Sequence, residues 1–400
     1  MPTVVRCGTG LACGTVDRVM HVNVSRLRRT LLAASIAAAV AVPLREAARP
    51  SAVPAPVPAA SASPLSEAAR PSAVPAPVPT ATDTGTGSAV PTALPTALPT
   101  ALPTTLPTTG PTTGPTTGLA DWASPRPATS AALAARYAAV RGDIVAAERM
   151  AAGHGHRRRA AMLHAMAEPA RRLLSFDGRD GGRAAEVFGD LTTAEHLAVL
   201  VPGGDTHLDK YGLLRGGALR LSQALGDRSA VIAWLGYRTP NTVSLAALTT
   251  GRADEAAPAL RAFVRKLTEL KPFARITLVC HSYGSVVCGR AAPGLDVAGM
   301  VLIGSPGVTA GDAAALRTQA TVWAGRGSRD WIAVVPHLRL CLPYVTVGFG
   351  ADPVAPGLGA RVFAAGDGGH SDYFRAGSPS LTNIARIVSG QLPTEVRGGH

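Results

Sequence analysis

The sequence predicts an α/β fold with a doubly wound, mostly parallel sheet, preceded by an N-terminal helical segment. Short, continuously apolar runs alternate with stretches of helical spacing over the second half of the chain. Strands that are buried on both faces give such runs, and helical crossovers between them make neighbouring strands parallel. Glycine-rich and polar residues follow several of these runs directly. They stand at the strand ends where ligands bind in sheets of this kind.

Six apolar runs predict the strands, and helical spacing predicts the connections between them. The strand runs are 196–201, 230–235, 275–280, 299–303, 320–324 and 362–365, and the helical stretches include 216–225, 254–270 and 284–292. Ahead of them, residues 128–175 are rich in Ala, Arg and Leu, with no proline before Pro169. This region predicts two or three helices, interrupted near 153–155.

Composition divides the 400 residues into four segments. We expect residues 1–48 to be an upstream segment with a signal peptide or membrane anchor, and residues 49–118 to be a disordered Pro/Ala/Thr-rich linker. Residues 119–180 are the helical segment, and residues 181–400 are the α/β domain. The linker repeats PTAL and then PTTG, a pattern that favours extended polyproline II and excludes a packed core. The residues after it are enough to bury one sizeable core.

The stretch 20–45 is typical of an export signal. A basic segment with Arg28 and Arg29 precedes a mostly apolar run at 31–44. That run is shorter than the roughly 20 residues that a bilayer needs, but it suits a signal peptide. The two arginines also resemble a twin-arginine signal. We therefore expect a protein that is secreted, or tethered to the outer face of the membrane if this segment is not cleaved.

The net charge of +13 comes almost entirely from arginine, since only three of the 39 basic residues are lysine. An arginine-rich coding bias explains this charge, and attraction to an anionic membrane or cell wall is the functional alternative. We do not expect nucleic acid as a partner. With 46% hydrophobic and 4% aromatic residues, the composition excludes a disulfide scaffold, a collagen and a polytopic membrane protein.

Ser282 stands where a predicted strand passes directly into a helix, in the sequence Cys280-His-Ser282-Tyr-Gly284. This architecture predicts a nucleophile elbow, in which a strained turn with positive φ lifts the serine hydroxyl above the sheet. The residues two before and two after the serine must be small, because the helix crosses close to the strand. Gly284 meets this requirement, whereas Cys280 replaces the usual glycine. An ordinary serine at a tight turn is the alternative.

A serine hydroxyl needs a base within reach and a carboxylate that orients the base, and in this fold the chain order is Ser, acid, His. His370 follows the last predicted strand on a glycine-rich loop, and Asp330 follows the strand before it on another. We predict His370 as the general base and Asp330 as its partner. The alternatives are Asp352, Asp367 and Asp372 for the acid, and His281, His337 and His400 for the base. Of these, His281 adjoins the nucleophile but is expected to point away from it.

Two backbone N–H groups are candidates for the oxyanion hole. One belongs to Tyr283, which follows the nucleophile, and the other to Gly204, in the Pro-Gly-Gly turn after the run 196–201. A plain turn is the alternative for these glycines. Trp234 and Tyr237 follow another strand end and are expected either to shape the pocket or to pack, together with Pro240.

The cysteines allow two interpretations. Cys280, Cys288 and Cys341 lie in the predicted α/β domain, and an exported protein could pair two of them. The place of Cys280 in a buried strand favours a small core residue instead. The sequence implies no metal or organic cofactor. The basic cluster 157–159 has flanking histidines but no carboxylate or cysteine that would complete a ligand set.

Several stretches together resemble a bacterial α/β-hydrolase family of the "domain of unknown function" type. They are GDLTTAEHLAVLVPGGDT (189–206), AWLGYRTP (233–240), CHSYGSVV (280–287), LIGSPGV (302–308), VWAGRGSRD (322–330), GADP (350–353) and GHSDYF (369–374). The resemblance implies the α/β-hydrolase fold and a catalytic triad of Ser282, Asp330 and His370. It implies no substrate, and Cys280 departs from the usual glycine.

The sequence as a whole predicts an exported serine hydrolase that cleaves a carboxylic ester through an acyl-enzyme, on a small-molecule or lipid-like acyl substrate. An amidase or acyltransferase would use the same triad. A catalytically inactive binding protein at the cell surface is the alternative from a different class, because fold alone does not determine function.

Overall fold

The computed structural model describes residues 129–341 and 345–395, and for Cys341 only the backbone. The predicted export segment, the linker, Cys7, Cys13 and His400 lie outside the described residues.

Two helices open the described chain, α1 (Ser130–Gly153) and α2 (Arg157–Met166). Thr129 begins α1 because its side chain accepts a hydrogen bond from the Ala132 amide at 3.2 Å. The helices are separated at Gly155, whose φ of 74° ends the helical path. This break agrees with the predicted interruption. No helix among the described residues is both long and apolar enough to cross a bilayer.

The remaining elements alternate, as the apolar runs predict. The strands are β1 (Arg172–Asp177), β2 (Arg183–Gly189), β3 (His196–Val201), β4 (Ser229–Leu235), β5 (Arg275–His281), β6 (Gly299–Ile303), β7 (Thr321–Gly325), β8 (Leu340–Cys341), β9 (Thr346–Val347) and β10 (Arg361–Val362). The helices are α3 (Gly212–Leu225), α4 (Gly251–Leu270), α5 (Tyr283–Ala291) and α6 (Pro379–Val388).

Within the described part of the chain, eight strands form one sheet in the order β1-β2-β4-β3-β5-β6-β7-β10, and β8 and β9 form a separate pair. Strand β2 is antiparallel to both β1 and β4, whereas all pairs from β4 to β10 are parallel. This arrangement confirms the predicted fold class. The last strand is shorter than the predicted run 362–365, since only two of its residues pair with β7.

Strands β1 and β2 are absent from the sequence prediction, which assigned helix up to residue 175. Glu186 in β2 is only 1% exposed and forms a buried ion pair with Arg171, with Oε2 2.6 Å from Nη2. A charged residue at a fully buried position breaks the continuous apolar run by which interior strands are recognised. The apolar pattern of β2 is therefore interrupted by Glu186, whose charge is compensated by Arg171 only in the folded protein.

Helices cover both faces of the sheet. In β5, Ile276 and Leu278 belong to the core that holds α4 and α5, whereas Val279 belongs to the core that holds α3 and α6. Strand β5, inside the sheet, is therefore buried on both sides. The loops at the carboxyl ends of the strands remain the place where polar groups reach solvent.

Candidate active site

A cavity of about 390 Å³ opens at the carboxyl ends of the parallel strands. Ser282, after β5, lines it together with His370, after β10, and with Gly203 and Gly204, after β3. The structure thus brings together side chains that are far apart in sequence. Asp330, after β7, is 3% exposed and lies behind His370, to which it is hydrogen-bonded.

Ser282 occupies a tight turn between β5 and α5 with φ 53° and ψ −127°. Its amide donates to the Ile303 carbonyl of β6 at 2.9 Å, which fixes the end of the strand. A positive φ in a residue with a side chain costs about 1–3 kcal/mol and persists only where the surroundings enforce it. This is the backbone geometry of a nucleophile elbow.

Gly284 makes the close crossing of α5 over the sheet possible. A Cβ atom built on it would lie 2.4 Å from the Val201 carbonyl oxygen of β3. No residue larger than glycine fits at that distance, which accounts for the small residue that an elbow needs two positions after its serine.

The small residue before the serine has a different role from the one predicted. Cys280 forms a disulfide with Cys288, with an S–S distance of 2.07 Å, and both residues are fully buried. The interpretation of Cys280 as an unpaired core residue is therefore wrong, and the pairing alternative is correct. Helix α5 folds back along β5, so the strand residue two before the turn meets the helix residue six after it.

His370 is held by Asp330 and by two aromatic rings. Its Nδ1 lies 2.8 Å from Asp330 Oδ1, and its ring centroid lies 4.6 Å from that of Trp331 and 4.8 Å from that of His281. A carboxylate can only accept a hydrogen bond, so Nδ1 carries the proton and Nε2 is left as an acceptor. Ser282 Oγ and this ring line the same cavity but are not joined by a hydrogen bond within the described residues. Such contacts are often long in unliganded sites.

Asp330 stays ionised although it is buried. Burial raises its pKa, but the hydrogen bonds from His370, Tyr373 and the Ile332 amide outweigh burial, and the net pKa lies below the ordinary value. The Ile332 amide donates to Oδ1 at 2.9 Å. The site therefore contains a buried carboxylate whose charge is stabilised by three hydrogen-bond donors.

Tyr373 is a site residue that sequence reasoning missed. Its hydroxyl donates to Asp330 Oδ2 at 2.5 Å and accepts from the Gly327 amide at 3.2 Å. Burial and the charge of Asp330 raise the pKa of Tyr373 far above its ordinary value, so it remains a donor. Its position three residues after His370, in the GHSDYF stretch, was the available signal.

His281 does not point away from the nucleophile as expected. It lines the same cavity as Ser282, and its Nε2 lies 2.8 Å from the backbone oxygen of His370. Burial, with the charge of His370 as the second cause, lowers the pKa of His281 to about 4. At neutral pH the ring is therefore uncharged and donates its Nε2–H to that carbonyl. The expected direction is wrong, because β5 continues through His281 and aims its ring at the loop of His370.

The rival residues are engaged elsewhere. Asp352 Oδ2 lies 2.6 Å from Arg326 Nη1, and His337 lies 3.8 Å from the same carboxylate. Asp367 pairs with two arginines, and Asp372 accepts the Gly369 amide at 2.8 Å. Among the described residues, none of these three carboxylates is hydrogen-bonded to His370, whose partner is Asp330.

The two predicted oxyanion donors belong to different elements, the start of α5 and the loop after β3. Tyr283 is the first residue of α5, where a backbone N–H has no acceptor within the helix. A Cβ atom on Gly203 would lie 2.6 Å from Ser282 Cβ, so only glycine allows the loop after β3 this close. Gly204 follows and also lines the cavity. Its role as the second donor stays a prediction.

Trp234 and Tyr237 are packing residues. They are 0% and 3% exposed, and neither lines the cavity. The Tyr237 hydroxyl donates to the Pro202 carbonyl at 2.7 Å and thereby holds the turn that carries Gly203.

Within residues 129–341 and 345–395, no group of three or more His, Cys, Asp or Glu residues is arranged to hold a metal ion. In the basic cluster 157–159, Arg159 pairs with Asp209 at 2.6 Å.

Part of the chain is similar in sequence to a family model and to known proteins. The model of a family described as "Alpha/beta hydrolase" matches residues 177–340. The chain is 33% identical over 252 residues to the uncharacterized protein MT2140 of Mycobacterium tuberculosis (strain CDC 1551 / Oshkosh), covering 54% of this chain and 38% of that protein. It is 32% identical over 159 residues to the uncharacterized protein Mb0988c of Mycobacterium bovis (strain ATCC BAA-935 / AF2122/97), covering 35% of this chain and 59% of that protein. The chain thus spans less than two thirds of these relatives.

Two solved structures are similar to this chain at low sequence identity. XC6422 from Xanthomonas campestris, described as a member of a/b serine hydrolase without lid, has a TM-score of 0.37 at 15% identity, covering 56% of this chain and 93% of that chain. Esterase PE8 has a TM-score of 0.36 at 16% identity, covering 52% of this chain and 99% of that chain. The strand order described above and the family match over residues 177–340 show that this chain has the α/β-hydrolase fold.

Proposed function

We propose that this protein is a serine hydrolase that cleaves a carboxylic ester through an acyl-enzyme. The observation that carries the proposal is the shared cavity of Ser282 and His370, with Ser282 on a strained elbow and His370 held by a buried carboxylate. A serine at an ordinary turn would need neither the positive φ nor an oriented imidazole beside it.

The chemistry follows from the hydrogen bonds. Asp330 accepts Nδ1–H of His370, so Nε2 takes the proton of the Ser282 hydroxyl as the oxygen bonds to the ester carbonyl carbon. The N–H groups of Tyr283 and Gly204 stabilise the negative oxygen that forms. His370 then gives its proton to the leaving alcohol, and the acyl group stays on Ser282. A water molecule, deprotonated by His370, releases the acid and restores the hydroxyl.

A fluorophosphonate probe tests the proposal. Ser282 should displace fluoride from phosphorus and retain the phosphonyl group, and peptide mapping should find the adduct on Ser282. Ser371, an exposed hydroxyl that lines the same cavity, is an internal control and should carry no adduct. A folded protein that takes up no probe would favour the catalytically inactive binding protein. Parallel assays with an ester and an amide of the same acid distinguish an esterase from an amidase.

We also propose that the protein works outside the cytoplasm. The disulfide between Cys280 and Cys288 supports this, because such bonds persist in oxidising compartments and are rare in reducing ones. The export signal in the sequence is independent support. Both cysteines are fully buried, so the bond forms before or during folding rather than on the finished surface.

We expect the Cys280→Ala/Cys288→Ala variant to lose stability. A crosslink between residues eight apart lowers the entropy of the unfolded chain, which on the chain-entropy model raises the free energy of unfolding by about 2–3 kcal/mol. Urea unfolding of oxidised protein and of the double variant measures the difference. Peptide mapping that finds both Cys280 and Cys288 as free thiols in protein recovered from the periplasm of an expression host would contradict the proposed bond.

A further inference from the structure

One face of α3 forms a wall of the candidate active site. Leu213, Gly217 and Arg220 line the cavity and are spaced by four and three residues, so they lie on one side of the helix. Lys210, in the turn before the helix, continues the same line by three residues and also lines the cavity. A cation therefore stands at each end of this wall.

The two cations of the wall have no carboxylate partner. Neighbouring arginines do, since Arg159 pairs with Asp209 at 2.6 Å and Arg215 lies 3.4 Å from Glu186. Among the described residues, neither Lys210 nor Arg220 takes part in an ion pair. Asp205 is the one carboxylate in the described lining, and its Oδ2 accepts the Thr242 amide at 3.3 Å. With two cations against this one carboxylate, the lining has a net positive charge on the side of the wall.

The surface between these cations is apolar. Leu213 is 82% exposed, and Leu214 and Phe374 line the cavity beside it. A Cβ atom on Gly217 would lie 3.0 Å from the Phe374 ring, so the missing side chain lets that ring pack onto the helix. An exposed leucine at the mouth of a cavity suits an apolar chain, and cations beside it suit an acidic group.

We propose that this wall binds the anionic group of the substrate. The substrate class is an acyl ester that carries a carboxylate or phosphate at a distance from the bond that is cleaved. The apolar part lies along Leu213, Leu214 and Phe374, and Lys210 and Arg220 bind the acid. This inference rests on the proposed ester hydrolysis for its kinetic test but not for its binding test. Partly exposed charge pairs contribute modestly, so each cation should account for roughly a three- to fivefold effect.

The kinetic test compares two esters of equal chain length. One is the mono-4-nitrophenyl ester of a dicarboxylic acid, and the other is the 4-nitrophenyl ester of the monocarboxylic acid, over a graded series of lengths. The wild type should prefer the anionic ester in kcat/KM at one or more lengths. Lys210→Met and Arg220→Met should each reduce that preference roughly three- to fivefold. Arg265→Met, an exposed arginine on α4 outside the cavity, removes the same charge and should leave the preference as it is.

The binding test uses the Ser282→Ala variant, which cannot form the acyl-enzyme. Calorimetry should detect octyl phosphate binding, with a Kd raised roughly three- to fivefold by Lys210→Met or Arg220→Met and unchanged by Arg265→Met. Octanoate in place of octyl phosphate shows which acid is preferred, and raising the salt concentration should weaken either. Equal affinities for the three variants, or an ester preference that the two cavity variants leave intact, would overturn the inference. If the proposed ester hydrolysis is wrong but the wall does bind anions, the fluorophosphonate probe will not label the protein while octyl phosphate still binds.

Discussion

Alanine in place of Ser282 will lower kcat/KM for an activated ester by at least about 10⁴-fold, because the atom that bonds to the acyl group is removed. The fold should survive, since alanine and serine face the same penalty at φ 53° and the serine hydroxyl makes no hydrogen bond with the described residues. Initial rates with 4-nitrophenyl esters, together with thermal unfolding of both proteins, measure the two effects.

Ser371→Ala is the matched control for this loss. It removes another hydroxyl from the same cavity and should leave the rate within a few-fold of wild type. A Ser282→Ala protein that hydrolysed esters at the wild-type rate would show that the activity belongs to a different group, and the acyl-enzyme proposal would be abandoned.

Asparagine in place of Asp330 should reduce kcat by about 10⁴-fold, the size of effect seen when the triad carboxylate of a serine protease becomes an amide. The amide would donate to Nδ1 instead of accepting from it, so the proton moves to Nε2 and His370 can no longer act as a base. Asp352→Asn is the control. That carboxylate follows β7 in the chain as Asp330 does, but it pairs with Arg326 at 2.6 Å. Similar losses for both variants would contradict the assignment of Asp330.

The pH dependence of stability gives a second readout of the same substitution. The pKa of Asp330 is lower in the folded protein than the ordinary value of about 3.9, so ionisation favours the folded state. That contribution is fully present above the ordinary pKa and is lost as the pH falls through the folded pKa. Urea unfolding should therefore show a gap between wild type and Asp330→Asn that is constant above about pH 5 and shrinks on acidification.

The parallel half of the sheet was predictable because its strands are apolar on both faces. The run 196–201 coincides with β3, and 299–303 coincides with β6. Ser282 was predictable for the same reason, since an apolar strand that passes straight into a helix is a local pattern. Asp330 and His370 could be predicted as candidates because each lies in a loop that follows a strand. Whether the two side chains meet depends on long-range contacts that no local sequence pattern contains.

The features that sequence reasoning missed all depend on distant partners. Tyr373 and Asp330 are 43 positions apart, and His281 reaches the backbone of a residue 89 positions away. The pairing of Cys280 depends on the return path of α5 along β5, which a strand pattern does not describe. In β2, Glu186 looks like a surface residue until Arg171 is known to lie beside it.

The ion pair between Arg171 and Glu186 limits how far the protein can be shortened for laboratory work. A fragment cut to the family match at 177–340 would leave out Arg171, and with it a hydrogen-bonded partner of a carboxylate that is 1% exposed. Arg215 would still lie 3.4 Å from Glu186, but removing one partner of a buried ion pair costs up to about 3–5 kcal/mol, a large share of the stability of an ordinary domain. A workable fragment therefore has to retain Arg171 together with α2, whose Ala165 carbonyl accepts a hydrogen bond from Arg171 at 3.0 Å.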